Sequence, residues 1–467
     1  MTIYLPTLDT DNSSGKTPKY LAIAGAIASD IADGTLQPGD RLPTHRDLAY
    51  RLGVTVGTVS RAYGEIARQS LTSGEVGRGT FVAGAVKTQP DFAIRRTHRT
   101  SDLVEMSMNW PTTGRAGEML SRTLAELSRS NDLGTLTEYQ PAFGMPHHRE
   151  AGAALIGKLG LSVNAEDVVV TSGAQHAMNI IFTTVMCAGD LMLTEKLTYP
   201  AMKALARSLG IRMKGIDMDN EGILPDALED ACRAGGVKAL YTMPTIQNPT
   251  CTIQGEQRRQ DIARICQQYG VTIIEDDVYG FLPSDRPAPL ASHAPEISYY
   301  ISGTAKSIAP GLRIGYVVGP SAATAKLAHA VQFTSWMAAP LMAEIATRWI
   351  IDGTADELIE WHRENARFRT ALALKTLSGH DIASHPEGYH LWLTLPYSIA
   401  ADDLLRIASG RGIALTPPDV FTLDGDTPPN AVRVCFGGPD TMHELEKGLN
   451  ILREILEEPS EPDLALF

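Results

Sequence analysis

No apolar run in this chain approaches the roughly 20 residues that a membrane-spanning helix needs, and mean hydropathy is slightly negative at -0.08. The opening residues, MTIYLPTLDTDNSSGK, lack the basic stretch followed by an apolar one that marks a secretory leader. Cysteine is scarce: Cys187, Cys232, Cys251, Cys266 and Cys435 are scattered, with no C-x-x-C pair and no His-rich cluster beside them. That pattern speaks against a zinc site or a disulfide framework, so no metal is expected and a reducing, cytoplasmic setting fits best. Several catalytic signatures are missing as well. No G-x-G-x-x-G opens a helix after a strand, and there is no Walker A loop, no H-E-x-x-H and no G-x-S-x-G. A nicotinamide-binding unit, a P-loop, a zincin and a hydrolase elbow are therefore unsupported.

What remains is a chain of 467 residues, 43% apolar and 20% charged, close to globular averages. At roughly 150 residues per domain, about three compact units are expected. The net charge of -13 is unevenly spread. Residues 1–84 carry eight Lys/Arg against eight Asp/Glu, residues 85–100 are +3, and the remaining 367 residues carry -16. A neutral-to-basic head on an acidic body suggests two jobs.

In the head, apolar periodicity from near Lys19 to near Gly34 predicts an amphipathic helix. After the break at LQPGDRLP, Thr44 is placed to cap a second helix that Gly53 ends. Thr55 is placed to cap a third, in which Val56, Val59, Tyr63 and Ile66 form the stripe to be buried. Thr55, Thr58, Arg61, Glu65 and Arg68 are left outside. A short connection between helices two and three is the helix-turn-helix arrangement, whose second helix reads the major groove. Beyond it, Gly74, Gly77 and Gly79 bracket a hairpin tip carrying Arg78, with Thr80-Phe81-Val82 as the returning strand.

The run PGDRLPTHRDLAYRLGV…TVSRAYGEI…GRGTFV resembles the winged helix of the GntR family of bacterial transcription regulators. The resemblance implies that Arg46, Arg61 and the wing at Gly77–Gly79, with Arg78, contact double-stranded DNA. Thr55 and Thr58 at the start of the reading helix join this candidate set. Residues 85–103 are polar and aperiodic and read as a linker. The linker's Arg95, Arg96, His98 and Arg99 suit either a phosphate backbone or a solvated tether.

From about residue 104, β-branched runs such as DVVVTSG, KALYTMP, VTIIEDD and YYISGTA alternate with helical stretches, which predicts an α/β domain with a largely parallel sheet. Polar residues gather at the predicted strand ends, where open α/β sheets hold ligands. Thr171-Ser172-Gly173-Ala174-Gln175 leads from a strand into a helix, leaving backbone N–H groups for an anion or simply capping the helix. Asn248 lies on a turn, Asp276 and Tyr279 close a strand, and Lys306 precedes Arg313 by seven residues among small residues.

This ordered set resembles the pyridoxal phosphate site of the aspartate aminotransferase fold, fold type I with large and small subdomains. The chemistry accounts for each residue type. Lys306 supplies the amine for the cofactor aldehyde, and Asp276 faces the ring nitrogen. Asn248 and Tyr279 suit the phenolic oxygen, and Arg313 the phosphate, helped by Ser302 or Thr304 and by the turn at Gly173, Ala174 and Gln175. The resemblance further implies that Tyr199 stacks on the ring, Tyr139 reaches the neighbouring subunit's phosphate, and Arg433 clamps a carboxylate, with Asn248 beside it. Two departures stand out. Gly303 replaces a frequent serine, and Cys251 replaces the glycine usual after Asn-Pro-Thr, which suggests a shifted turn.

Head, linker and body in this order resemble the MocR subfamily. The expected layout is a flexible start at 1–15, a winged helix-turn-helix at 16–84, a linker at 85–103 and an aminotransferase-like domain at 104–467. The resemblance implies a head-to-tail homodimer that binds an operator and senses an amino acid or amine, or the cofactor itself, by aldimine exchange at Lys306. The alternative is a working aminotransferase that carries a DNA-binding domain. An architectural DNA-bridging dimer fits less well, because it gives no reason for a complete cofactor set.

Overall fold

The computed structural model describes residues 18–32, 35–37, 40–68, 72–75, 79–82, 103–112 and 114–457. The chain divides into two units, Met1–Thr97 and His98–Phe467. The expected flexible start and nearly all of the expected linker lie outside the described residues, as do Gly77 and Arg78.

The head consists of α1 (Lys19–Ala32), α2 (His45–Leu52), α3 (Val56–Arg68), β1 (Thr72–Glu75) and β2 (Gly79–Val82). The Thr44 hydroxyl accepts from the Asp47 N–H and so caps α2, while Gly53 ends it with φ at +62°. Thr55 caps α3, accepting from the Thr58 N–H at 3.2 Å. Ile23, Ile27, Leu48, Val59, Tyr63 and Ile66 pack as one core. Val56 departs from the expected stripe and is 45% exposed. It occupies the first position of α3, and Ala62 joins the buried side instead. The two strands form an antiparallel hairpin, and Arg41 bridges to Phe81 at its edge. Gly74 and Gly79 sit within the paired strands rather than at the tip.

The body is built on a seven-stranded sheet of β3 (Val168–Thr171), β4 (Leu191–Glu195), β5 (Arg212–Ile216), β6 (Val237–Thr242), β7 (Thr272–Asp276), β8 (Ser298–Gly303) and β9 (Gly315–Val318). Its order is β3-β9-β8-β7-β6-β4-β5, and only β9 runs antiparallel to its neighbours. β3, β8 and β9 are buried along their whole length, which explains their near-continuous apolar runs, whereas the edge strand β5 alternates between exposed and half-buried residues over most of its length. α4 (Pro146–Gly157) contributes Leu155 and Ile156 to the core on one face, and α5 (Ala174–Val185) contributes Ile181 and Phe182 to the core on the other. A smaller antiparallel sheet, β10 (Asp381–Ser384), β11 (His390–Thr394) and β12 (Ala431–Cys435), has its own core. In β11 and β12, Leu391, Leu393, Val432 and Val434 belong to that core. By strand alternation, His390, Trp392, Arg433 and Cys435 line the opposite face. No helix among the described residues is long and apolar enough to cross a membrane.

Candidate functional site

Asp276 is the last residue of β7 and is buried. Tyr241, on the adjacent β6, donates to its Oδ2 at 2.7 Å. Its Oδ1 is buried with no partner among the described residues. Desolvation pushes this carboxyl up to about 6, against the Tyr241 bond, the nearby Val278 N–H and the Lys306 charge that hold it down. Its neighbours face elsewhere, as strand alternation requires. Glu275 accepts from the Leu290 and Ala291 N–H groups at 3.0 and 2.7 Å, while Asp277 pairs with Arg286 at 2.7 Å and accepts from Tyr300 at 2.6 Å.

Lys306 follows the end of β8. Its Nζ donates to the Asn109 carbonyl and lies 5.4 Å from the Tyr279 ring centroid. Desolvation, with the Arg433 charge next, brings this amine down to about 8. Tyr279 is buried, and its hydroxyl accepts from Asn109 Nδ2 at 2.9 Å. Asn248 does not meet Tyr279 directly; its Oδ1 accepts from Arg433 at 2.7 Å. Arg433 also donates to the Ser107 carbonyl at 2.7 Å and to Thr416 Oγ1 at 3.2 Å, and it lies over the Phe421 ring.

On the other side of the site, Gly173 precedes α5 with φ at +91°. A Cβ there would stand 2.8 Å from the Arg313 guanidinium, so glycine permits the approach of Arg313 to the helix start. Arg313 is exposed and makes no hydrogen bond or ion pair among the described residues. Ala174 and Gln175 open the helix, whose first N–H groups have no partner within it. Gln175 also donates to the Tyr199 hydroxyl at 3.3 Å.

Ser302 is buried, and its hydroxyl has no partner among the described residues. Thr304 donates its hydroxyl hydrogen to the Ile314 carbonyl at 3.2 Å. Gly303 has a steric reason, since a Cβ would meet that same carbonyl at 3.0 Å. Cys251 corrects the expectation of a shifted turn. It takes the left-handed conformation itself, φ +63°, and is buried. Tyr139 is not part of this chain's own constellation; it is 82% exposed, with its ring 5.6 Å from that of Trp336.

The donor set therefore fits a cofactor with an aldehyde, a protonated ring nitrogen and a phosphate. It offers an amine of lowered pKa, an unpaired carboxylate oxygen, an unpaired hydroxyl and a free guanidinium beside a helix start. Sequence reasoning missed Asn109, Tyr241, Thr416 and His390. The only signal for Tyr241 was its place one strand from Asp276, and Asn109 and His390 each stood as isolated polar residues in apolar stretches. One further group, His147, His148 and Glu344, brings donor atoms within 4.8 Å of one another. Arg348 holds the other Glu344 oxygen at 2.7 Å, which makes this an ion-pair cluster.

In the head, Arg46, Thr55 and Arg61 are exposed, Thr58 is half-buried, and Gly79 starts the returning strand.

Comparison with known proteins defines the class. Residues 101–449 match the family "Aminotransferase class I and II", and residues 19–82 match "Bacterial regulatory proteins, gntR family". The chain is 30% identical to the uncharacterized HTH-type transcriptional regulator YdeF of Bacillus subtilis (strain 168), over 97% of this chain and 96% of that one. It is 28% identical to the HTH-type regulator YjiR of Escherichia coli (strain K12), over 87% of this chain and 92% of that one. A kynurenine aminotransferase from Pyrococcus horikoshii, crystallised with PMP and kynurenine, superposes with a TM-score of 0.72 at 25% identity, over 78% of this chain and 93% of that one. The chain thus belongs to the aminotransferase class I and II family. With its GntR head it has the make-up of a MocR-type transcription regulator.

Proposed function

We propose that this regulator binds pyridoxal phosphate at Lys306 and senses an amino compound there, in a cytoplasmic head-to-tail homodimer that recognises two operator half-sites. The observation that carries this reading is the combination of a lowered Lys306 amine with a buried Asp276 oxygen that has no hydrogen-bond partner among the described residues. When bound, the cofactor supplies an aldehyde for amines and an electron-accepting ring. The chain's own residues do the rest. Asp276 holds the ring-nitrogen proton at Oδ1, with its other oxygen fixed by Tyr241. Arg313, Ser302 and the start of α5 bind the phosphate. Lys306 offers the free amine, and Arg433 with Asn248 binds and orients a carboxylate. Tyr139 and Trp336 form an exposed aromatic pair, which supports burial against a second subunit. Arg46, Thr55, Thr58, Arg61 and the wing from Gly77 through Arg78 to Gly79 would contact DNA.

A switch of this kind works only if the ligand binds two arrangements of the dimer with different affinity. The deciding experiment records the visible spectrum of the purified protein while amino acids and amines are added without a keto acid, alongside operator binding. A band that shifts and holds, with a matching change in DNA affinity, is the expected result. A colourless protein indifferent to added cofactor would refute the proposal. Rapid decay to the amine form of the cofactor would favour the second reading, an active transaminase, which the intact set of Lys306, Asp276 and Arg433 also supports.

A further inference from the structure

Asn109 and His390 belong to no part of the function argued so far, yet both sit inside the site. Asn109 Nδ2 lies 2.9 Å from the Tyr279 hydroxyl and 2.9 Å from His390 Nδ1. An amide nitrogen carries two hydrogens and accepts none, so both are committed. Two consequences follow from that accounting. The Tyr279 oxygen is an acceptor here, which leaves its own hydrogen free to be donated elsewhere. His390 Nδ1 is also an acceptor, so a neutral ring carries its proton on Nε2. The surroundings agree with that state. Burial, together with the Arg433 and Lys306 charges, brings His390 down to about 3, with the Gln247 and Pro249 carbonyls acting weakly the other way; Nε2 itself is buried and makes no hydrogen bond among the described residues. The other groups facing it are Tyr279 and the thiol of Cys435, its cross-strand partner. Among the described residues, the hydrogen bond to Nδ1 comes from Asn109.

We infer that His390 is a positioning residue: through Asn109 it fixes the Tyr279 hydroxyl as a hydrogen-bond donor toward the phenolic oxygen of the cofactor. A turned-over Asn109 amide would present Oδ1 to Tyr279 and take that hydrogen for itself. With its proton on Nε2, His390 opposes the turn, because two acceptors, Nδ1 and Oδ1, would then face each other. The inference rests on the reading that pyridoxal phosphate occupies the Lys306 site.

The test uses the full-length protein. In the cofactor-loaded form, Tyr279 donation stabilises negative charge on the phenolic oxygen, so its loss should let the chromophore keep its proton to higher pH. For His390→Phe the pH midpoint of the visible band is expected to rise by about one unit, a tenfold change in that equilibrium. Asn109→Asp, which cannot donate to Tyr279, should move it in the same direction. Cofactor content and thermal midpoint are followed in parallel, so that a misfolded variant is recognised. A midpoint unchanged in both variants overturns the inference. The unloaded protein provides an independent arm: 15N shifts of the imidazole, assigned by the signal lost in His390→Phe, should show the proton on Nε2. A proton on Nδ1 overturns the inference whether or not cofactor binds. A wild-type protein with no visible band would instead defeat the cofactor reading itself.

Discussion

In the head, Arg46 and Arg61 stand in solvent on helices that Thr44 and Thr55 fix from their ends. In the body, Asp276 and His390 lie inside and Lys306 lies half inside, and all three are displaced from their ordinary pKa. The two regions therefore use charge in opposite ways. An exposed guanidinium keeps its full charge and acts through attraction that salt screens. A group in the body is useful because desolvation has made its charge conditional, so that a bound molecule decides it. Local caps suffice to build the first kind of site, whereas the second needs a large core around it.

The largest expected effect that would sharpen this contrast is at Lys306. Below about 8 its amine is mostly protonated and cannot attack, so capture of added pyridoxal phosphate should rise with pH, be half-maximal near 8 and level off about one unit above. An unperturbed lysine would keep gaining up to about 10.4. Lys306→Ala should capture none while still binding operator; stopped-flow absorbance checks the first and fluorescence anisotropy with operator DNA the second. A profile that continues to climb past pH 9 would place this amine in ordinary solvent.

Next in size is the difference between two adjacent carboxylates. Asp277→Asn leaves the buried Arg286 without its counter-charge and is expected to cost about 3–5 kcal/mol of stability. Asp276→Asn removes no ion pair and should cost less than about 1 kcal/mol, yet should weaken cofactor retention strongly. Chemical denaturation with spectral quantification of bound cofactor distinguishes them. Equal stability losses would mean that Asp276 serves the fold as Asp277 does.

The smallest effect is expected in the head. Arg61→Ala should weaken operator binding by roughly 1–3 kcal/mol, with cofactor capture unchanged. Fluorescence anisotropy at several salt concentrations measures this. A simultaneous change in the visible band would break the separation drawn between the two regions.

Much of this was legible in the chain because the signals are local. Thr44, Gly53 and Thr55 mark helix ends by residue type, and Asp276 and Lys306 stand out where apolar strands stop. Periodicity also found the face of α3, but it did not show where the covering helices end, so Val56 was assigned to the wrong side. The contacts that complete the site were silent for a different reason. Asn109 and His390 are 281 residues apart, and Tyr241 meets Asp276 through strand register. Only tertiary packing brings such pairs together, and a single sequence carries no periodic trace of it. Cys251 shows a further limit, since a residue type unsuited to a left-handed turn is held there by its neighbours.

Arg433 already has company before any ligand arrives: an amide oxygen, a main-chain carbonyl and a hydroxyl. All three are neutral. A newcomer bearing another neutral acceptor would merely exchange like for like, whereas a full carboxylate brings the opposite charge that these partners lack. On the proposed reading of Arg433 as the carboxylate-binding residue, the arrangement would work as a sieve for formal charge. Free amino acids should pass it, while their amides, esters and decarboxylated amines should stay behind even when their side chains are identical.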